Sequence, residues 1–133
     1  MRSQLESLIK ELALQDKVSL AGSSISPFSA IKNPDLFLMG SHYEGFPNVL
    51  LEANALGIPV VAFNAPGGIA EVIHEPENGL LVEDGNEQAF ANAIKKALLI
   101  DFNRGAIRNK TIEQYAPGKI MQQWESLLLA EIR

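Results

Sequence analysis

Three short apolar runs constrain this chain most. Each is closed by glycine or turn residues, and each is separated from the next by enough chain for a helix. Asp35-Leu36-Phe37-Leu38-Met39 stops at Gly40, Ile58-Pro59-Val60-Val61-Ala62-Phe63 runs into Ala65-Pro66-Gly67-Gly68, and Gly79-Leu80-Leu81-Val82 runs into Asp84-Gly85. Continuous apolar runs of this length read as strands covered on both faces, the habit of parallel sheets. Between the first two, a helix is expected from about Pro47 to Leu56, with Pro47 at the first helical position and Gly57 just past the end. A short helix is expected from Ile69 to Ile73. Another, led by Asp84-Gly85-Asn86, presents Phe90, Ile94, Ala97 and Leu98 on one face. Further helices are expected over 103–114 and at the end of the chain. The last one aligns Ile120, Trp124, Leu127 and Leu128, most simply as core contacts.

Upstream, Leu5, Leu8, Ile9 and Leu12 mark an amphipathic helix, and Val18-Ser19-Leu20-Ala21 reads as a short strand stopped by Gly22. Residues 23–34 carry loop chemistry, with room for one helical turn near Phe28 to Lys32. The alternation of strand and helix predicts an α/β fold: one domain over residues 1–133, a Rossmann-like parallel sheet with helices on both faces.

Composition closes off several function classes. There is no cysteine, so disulfides, thiolate metal sites and a cysteine nucleophile are excluded. Eleven Lys and Arg against 16 Asp and Glu give a net charge of −5, which disfavours general nucleic-acid binding. No apolar run reaches the roughly 18 residues of a membrane span. The polar opening Met1-Arg2-Ser3-Gln4 shows no signal peptide, and a cytoplasmic location is expected.

In open parallel sheets, ligands bind beyond the carboxyl ends of the strands. The loop Gly40-Ser41-His42-Tyr43-Glu44-Gly45-Phe46-Pro47 is the richest there, leading from a strand end into a helix. The first backbone N–H groups of that helix, at Asn48, Val49 and Leu50, have no acceptor inside it and favour an anion such as phosphate. Gly45 permits close approach to the backbone. Glu44 and Glu52 bracket this turn, and a carboxylate suits vicinal hydroxyls. The order hydroxyls, phosphates, hydroxyls fits a nucleotide-sugar. On spacing alone, the two acids read more readily as solvated helix-face and dipole-complementing residues than as ligand contacts.

Between Lys32 and Lys95 there is no Lys or Arg, while nine acidic residues fall in the same stretch. A diphosphate bound here is expected to need a metal, or cations on chain outside these 133 residues, or not to bind. His42 reads as a loop hydrogen-bonder rather than a base. His74, near Glu75 and Glu77, reads as exposed rather than as a metal corner. Gly67-Gly68 after Pro66 reads as a tight turn. The dinucleotide, P-loop and hydrolase-elbow fingerprints are absent from the sequence.

The run Ser41-His42-Tyr43-Glu44-Gly45-Phe46-Pro47-Asn48-Val49-Leu50-Leu51-Glu52-Ala53 resembles the most recognisable block of glycosyltransferase family 4, retaining enzymes of the two-domain GT-B fold. Ala55 to Ala62, Gly67 to Ile73 and Asn78 to Val82 are similar to the family as well. The resemblance implies the later part of the C-terminal, donor-binding domain of a GT-B enzyme. It assigns Glu44 to the transferred sugar as a catalytic carboxylate and Glu52 to the ribose hydroxyls. Backbone amides around Gly45, Phe46, Asn48, Val49 and Leu50 then meet the sugar and diphosphate. It also implies a UDP- or GDP-sugar donor, no metal, and a glycan or lipid-linked acceptor in bacterial polysaccharide biosynthesis.

The resemblance also implies that the family's Arg and Lys that grip the diphosphate lie upstream and that the acceptor domain is missing. The resemblance therefore implies little transfer by the chain alone, and peripheral association with the inner face of the membrane for the full-length enzyme. One rival reading is a non-enzymatic nucleotide-binding or pairing subunit of a split enzyme, self-associating through an open sheet edge. Another is a sugar-nucleotide epimerase of the same fold, whose motifs are not seen. The base-contacting loop is expected within 22–31.

Overall fold

The computed structural model describes residues 1–25 and 33–131. These fall into two compact units, 1–32 and 33–133. In the first unit, helix α1 spans Arg2–Glu11 and ends at Leu12. Its predicted stripe forms, yet Leu5, Leu8 and Leu12 remain about half exposed. The strand expected at Val18–Ala21 is absent. A strand is a paired state, and no described residue pairs with this segment. The Leu20 carbonyl instead accepts from Arg2 Nη2 at 3.2 Å. The helical turn expected near 28–32 and the base-contacting loop lie wholly or largely outside the described residues.

The second unit is built on three parallel strands in the order β1-β2-β3, namely Phe37–Met39, Val60–Phe63 and Gly79–Val82. Register runs from Phe37↔Val60 to Met39↔Ala62, and from Val60↔Gly79 to Phe63↔Val82. The helices that follow are α2 (Asn48–Ala55), α3 (Ile69–Val72), α4 (Glu87–Ala97), α5 (Arg104–Tyr115) and α6 (Pro117–Glu131). The predicted α/β architecture is therefore observed, with the sheet reduced to three strands among the described residues.

Both faces of the sheet carry helices. Val61, Phe63, Leu80 and Val82 point to one face, where they pack with Ala97 and the half-buried Phe90 and Ile94 of α4. The opposite face of β2 meets α2, which in turn packs on α5. β2 is fully buried, as its unbroken apolar sequence demands. β1 differs: it is an edge strand, and Leu38 is 47% exposed rather than covered. Leu38 shares a face with Val61, but α4 packs chiefly over β2 and β3.

Helix boundaries follow local chemistry. Asn86 and Asn103 cap α4 and α5, their side chains accepting from Ala89 N (3.0 Å) and Ala106 N (2.9 Å). Pro47 stands at the cap of α2, one position earlier than expected. Gly57 closes α2 with φ +76°, and a Cβ there would come within 2.6 Å of the Arg104 carbonyl oxygen. Leu98, the residue that closes α4, is exposed, unlike the buried Ala97 beside it. Trp124, Leu127 and Leu128 do align on α6. They are nevertheless more than half exposed, since no described element covers that stripe.

Candidate functional site

The site is assembled where the three strands end. Loop 40–47 leaves β1, loop 64–68 leaves β2 and loop 83–86 leaves β3. The first two are joined by main chain. Glu44 and Gly67 form an isolated parallel bridge, Glu44 N–H donates to the Pro66 carbonyl (3.2 Å), and Gly68 N–H donates to the Gly45 carbonyl (3.1 Å). Gly67 has φ +113°, and a Cβ built on it would fall 1.5 Å from the Glu44 carbonyl oxygen. Only glycine tolerates both the conformation and the contact. The glycine pair read from the sequence as a tight turn is thus the seat on which Glu44 rests.

The first and third loops are joined by side chains. His42 Nδ1 lies 2.6 Å from Asp84 Oδ1, and the imidazole stacks on Phe63 with ring centres 5.7 Å apart and planes 18° apart. Phe63 in turn packs on Phe90 at 4.7 Å. On the other side, Phe46 packs against Tyr115, the last residue of α5, at 6.3 Å. Partial burial and the nearby Glu71 charge push the Tyr115 hydroxyl above its ordinary pKa.

Glu44 is half-buried and Glu52 is exposed. Neither carboxylate takes a hydrogen bond or ion pair from any described residue. Gly45, Phe46 and Asn48 are exposed, Val49 is half-buried, and Leu50 is fully buried with its side chain in the core. The three helix-start amides are not equivalent. Asn48 N–H donates to the Phe46 carbonyl (3.0 Å) and Leu50 N–H to the Pro47 carbonyl (2.9 Å). Only Val49 N–H lacks an acceptor among the described residues, and the acceptors of the other two, Phe46 and Pro47, lie outside the helix.

Described cations with partners in this unit sit at the other end of the strands. Arg104 Nη2 donates to the Pro34 and Asp35 carbonyls just before β1. Lys110 bonds Glu77 before β3 and holds that carboxyl below its ordinary pKa. His74 is half-buried rather than exposed, its N–H donating to Asn78 Oδ1 at 2.7 Å. Among the described residues no three His, Asp or Glu gather as metal ligands, there or elsewhere. Asp84 and Gly67 escaped sequence reasoning. The signal for Gly67 was two adjacent glycines following a strand's carboxyl end.

The chain matches the family model described as glycosyl transferases group 1 over residues 1–116. It belongs to that family. A group 1 relative from Campylobacter jejuni, N-acetylgalactosamine-N,N'-diacetylbacillosaminyl-diphospho-undecaprenol 4-alpha-N-acetylgalactosaminyltransferase, is 37% identical over 110 residues. That match takes in 83% of this chain and 30% of the relative. The apo structure of the lipopolysaccharide outer core galactosyltransferase WaaB superposes with a TM-score of 0.89 at 24% identity, covering 97% of this chain and 38% of that one. The Anabaena HepE protein, solved in complex with UDP, superposes with a TM-score of 0.82 at 28% identity, covering 96% and 36%. The fold is that of a GT-B C-terminal domain. The group 1 chain described here spans 30% of the length of its Campylobacter relative.

Proposed function

We propose that residues 1–133 form the donor-binding portion of a retaining glycosyltransferase of bacterial polysaccharide biosynthesis, a single domain acting at the cytoplasmic face of the membrane. It holds a UDP- or GDP-sugar and passes the sugar to a glycan or lipid-linked acceptor brought by a separate domain. One observation carries this reading. In a group 1 chain, the block 41–53 folds as a loop and helix start at the carboxyl edge of a parallel sheet, with Glu44 half-buried and its carboxylate unpartnered among the described residues. The likeness to a UDP-bound neighbour supports it.

In this scheme the bond from the sugar's anomeric carbon to the diphosphate breaks. The acceptor hydroxyl oxygen bonds to that carbon on the same face, and the hydroxyl proton passes to the departing phosphate. Glu44 stabilises positive charge developing on the sugar. Glu52 accepts from the ribose hydroxyls. Val49 N–H meets a diphosphate oxygen without rearrangement, whereas Asn48 and Leu50 N–H do so only by releasing Phe46 and Pro47. Gly45 and Phe46 supply the close backbone wall.

The test pairs Glu52→Ala with Glu44→Ala. Glu52→Ala is expected to weaken UDP or GDP binding about tenfold or more in calorimetric titration, as for lost hydrogen bonds to a charged group. Glu44→Ala is expected to leave nucleotide affinity within about twofold and, in an enzyme that joins this portion to its acceptor domain, to lower kcat by about 100-fold. Equal, negligible effects overturn both assignments. A second reading, a pairing subunit that self-associates along the sheet edge, draws on the half-exposed Leu38 of β1. Sedimentation as a monomer at all concentrations overturns it.

A further inference from the structure

We propose that His42 is a sugar-contacting, specificity-determining residue of this site, held ready by Asp84 and Phe63; the inference rests on the donor reading above. The ring is fixed on two sides. Its Nδ1 is occupied by Asp84 Oδ1 at 2.6 Å, and its face lies on Phe63, which is itself 7% exposed. Despite these restraints the His42 side chain is 70% exposed, while Asp84 is 34% exposed. An oriented imidazole with an open edge has the geometry of a recognition group, since a ring placed only for packing needs no carboxylate to set its rotation.

The Asp84 contact also fixes the chemistry offered. A carboxylate accepts only, so Nδ1 carries the hydrogen and Nε2 is left for a ligand. In the neutral ring Nε2 accepts a hydrogen bond, and in the imidazolium it donates one. A hydroxyl can partner both forms, because it donates and accepts. A phosphate oxygen can partner only the second. Position selects the same class. His42 precedes Glu44 by two residues in the loop that enters α2, so it shares that loop with the residue the donor reading gives to the sugar. The structure assigns His42 Nε2 to a hydroxyl of the transferred sugar, with Asp84 as its positioning residue.

The experiment uses the full chain. Binding of UDP and GDP is compared with UDP-glucose, UDP-galactose, UDP-N-acetylglucosamine, UDP-N-acetylgalactosamine and GDP-mannose, for wild type, His42→Asn and His42→Gln. Asparagine can keep a donor for Asp84 but has nothing at the Nε2 position; glutamine reaches that position but loses the Asp84 bond. The tightest-binding sugar nucleotide of wild type is expected to bind His42→Asn about three- to tenfold more weakly, the range of one neutral hydrogen bond, with the parent nucleotide unchanged. His42→Gln is expected to recover part of that loss. In wild type, the imidazole Nε2 nitrogen resonance is expected to move on addition of the sugar nucleotide and not of the bare nucleotide.

Parallel losses for nucleotide and sugar nucleotide, with a lowered melting temperature, would make His42 a structural brace and overturn the proposal. So would an unmoved Nε2 resonance, or unchanged affinities in His42→Asn. If wild type binds the nucleotides and none of these variants alters sugar discrimination, the His42 assignment alone fails. If wild type binds none of the probes, the donor reading fails with it.

Discussion

Gly67 holds Glu44 more firmly than any side chain does. Its φ of +113° and the 1.5 Å at which an added Cβ would meet the Glu44 carbonyl oxygen mean that a single methyl group has nowhere to go. Gly67→Ala is expected to cost at least about 2 kcal/mol of stability, combining backbone strain with displacement of one loop from the other. Gly45 is the matched control, since a Cβ there meets nothing within 4 Å and its φ is unexceptional. Gly45→Ala is expected to change stability by less than about 1 kcal/mol, while still hindering a ligand that approaches its backbone. Urea midpoints for the two variants measure the contrast. Equal losses would show that the Glu44–Gly67 rung is not what holds the loop. At this scale the sequence was legible for residue types and mute on contacts. Glu44, Glu52 and the helix start could be named from their order, but nothing local announces that His42 finds Asp84 some forty residues later.

Between elements, a buried polar relay sets the spacing that the apolar core alone would leave loose. Asn54, 1% exposed on α2, donates from Nδ2 to the Ile58 carbonyl just before β2 at 2.9 Å. Its Oδ1 accepts from Asn78 Nδ2 at 2.9 Å, and Asn78 also donates to the Val72 carbonyl at the end of α3. Two asparagines thereby tie α2, α3 and the starts of β2 and β3. Asn54→Ala removes one of the two bonds of Asn78 Nδ2 and the side-chain donor of the Ile58 carbonyl, both in the interior, and is expected to destabilise by about 1–3 kcal/mol. Thermal unfolding of the variant measures it, and an unchanged midpoint would mean that water replaces the amide. Helix and strand positions were readable because glycine, proline and asparagine act locally, as at Gly57, Asn86 and Asn103. Val18–Ala21 misled because pairing, not composition, makes a strand. Asn54 carried no message for the same reason: its meaning lies 24 residues away in Asn78.

Over the whole molecule, charge is unevenly spread on an acidic chain of net −5. The Lys110–Glu77 pair gives a pH signature with a definite sign. Lys110 lowers the Glu77 pKa from its ordinary 4.5, so the folded state binds the proton less readily than the unfolded one. The stabilisation is complete above about 4.5 and disappears as pH falls through the lowered value. Lys110→Met is therefore expected to narrow its stability gap from wild type as pH drops below 4.5, and salt to shrink the gap at neutral pH. The pair is exposed, so the effect is small. A gap that widens on acidification would contradict the assignment. The doubly covered α/β layering was legible from the apolar runs. The exposure of Leu38 and of the α6 stripe was not, because a hydrophobic pattern records the need for a neighbour and not whether a described element supplies it.

The rung between Glu44 and Gly67 also bears on redesign. Since main chain sets where the acid stands, trimming nearby side chains will not move it. Admitting a bulkier guest would mean re-routing both strand exits together, a task for loop grafting and not for point substitution.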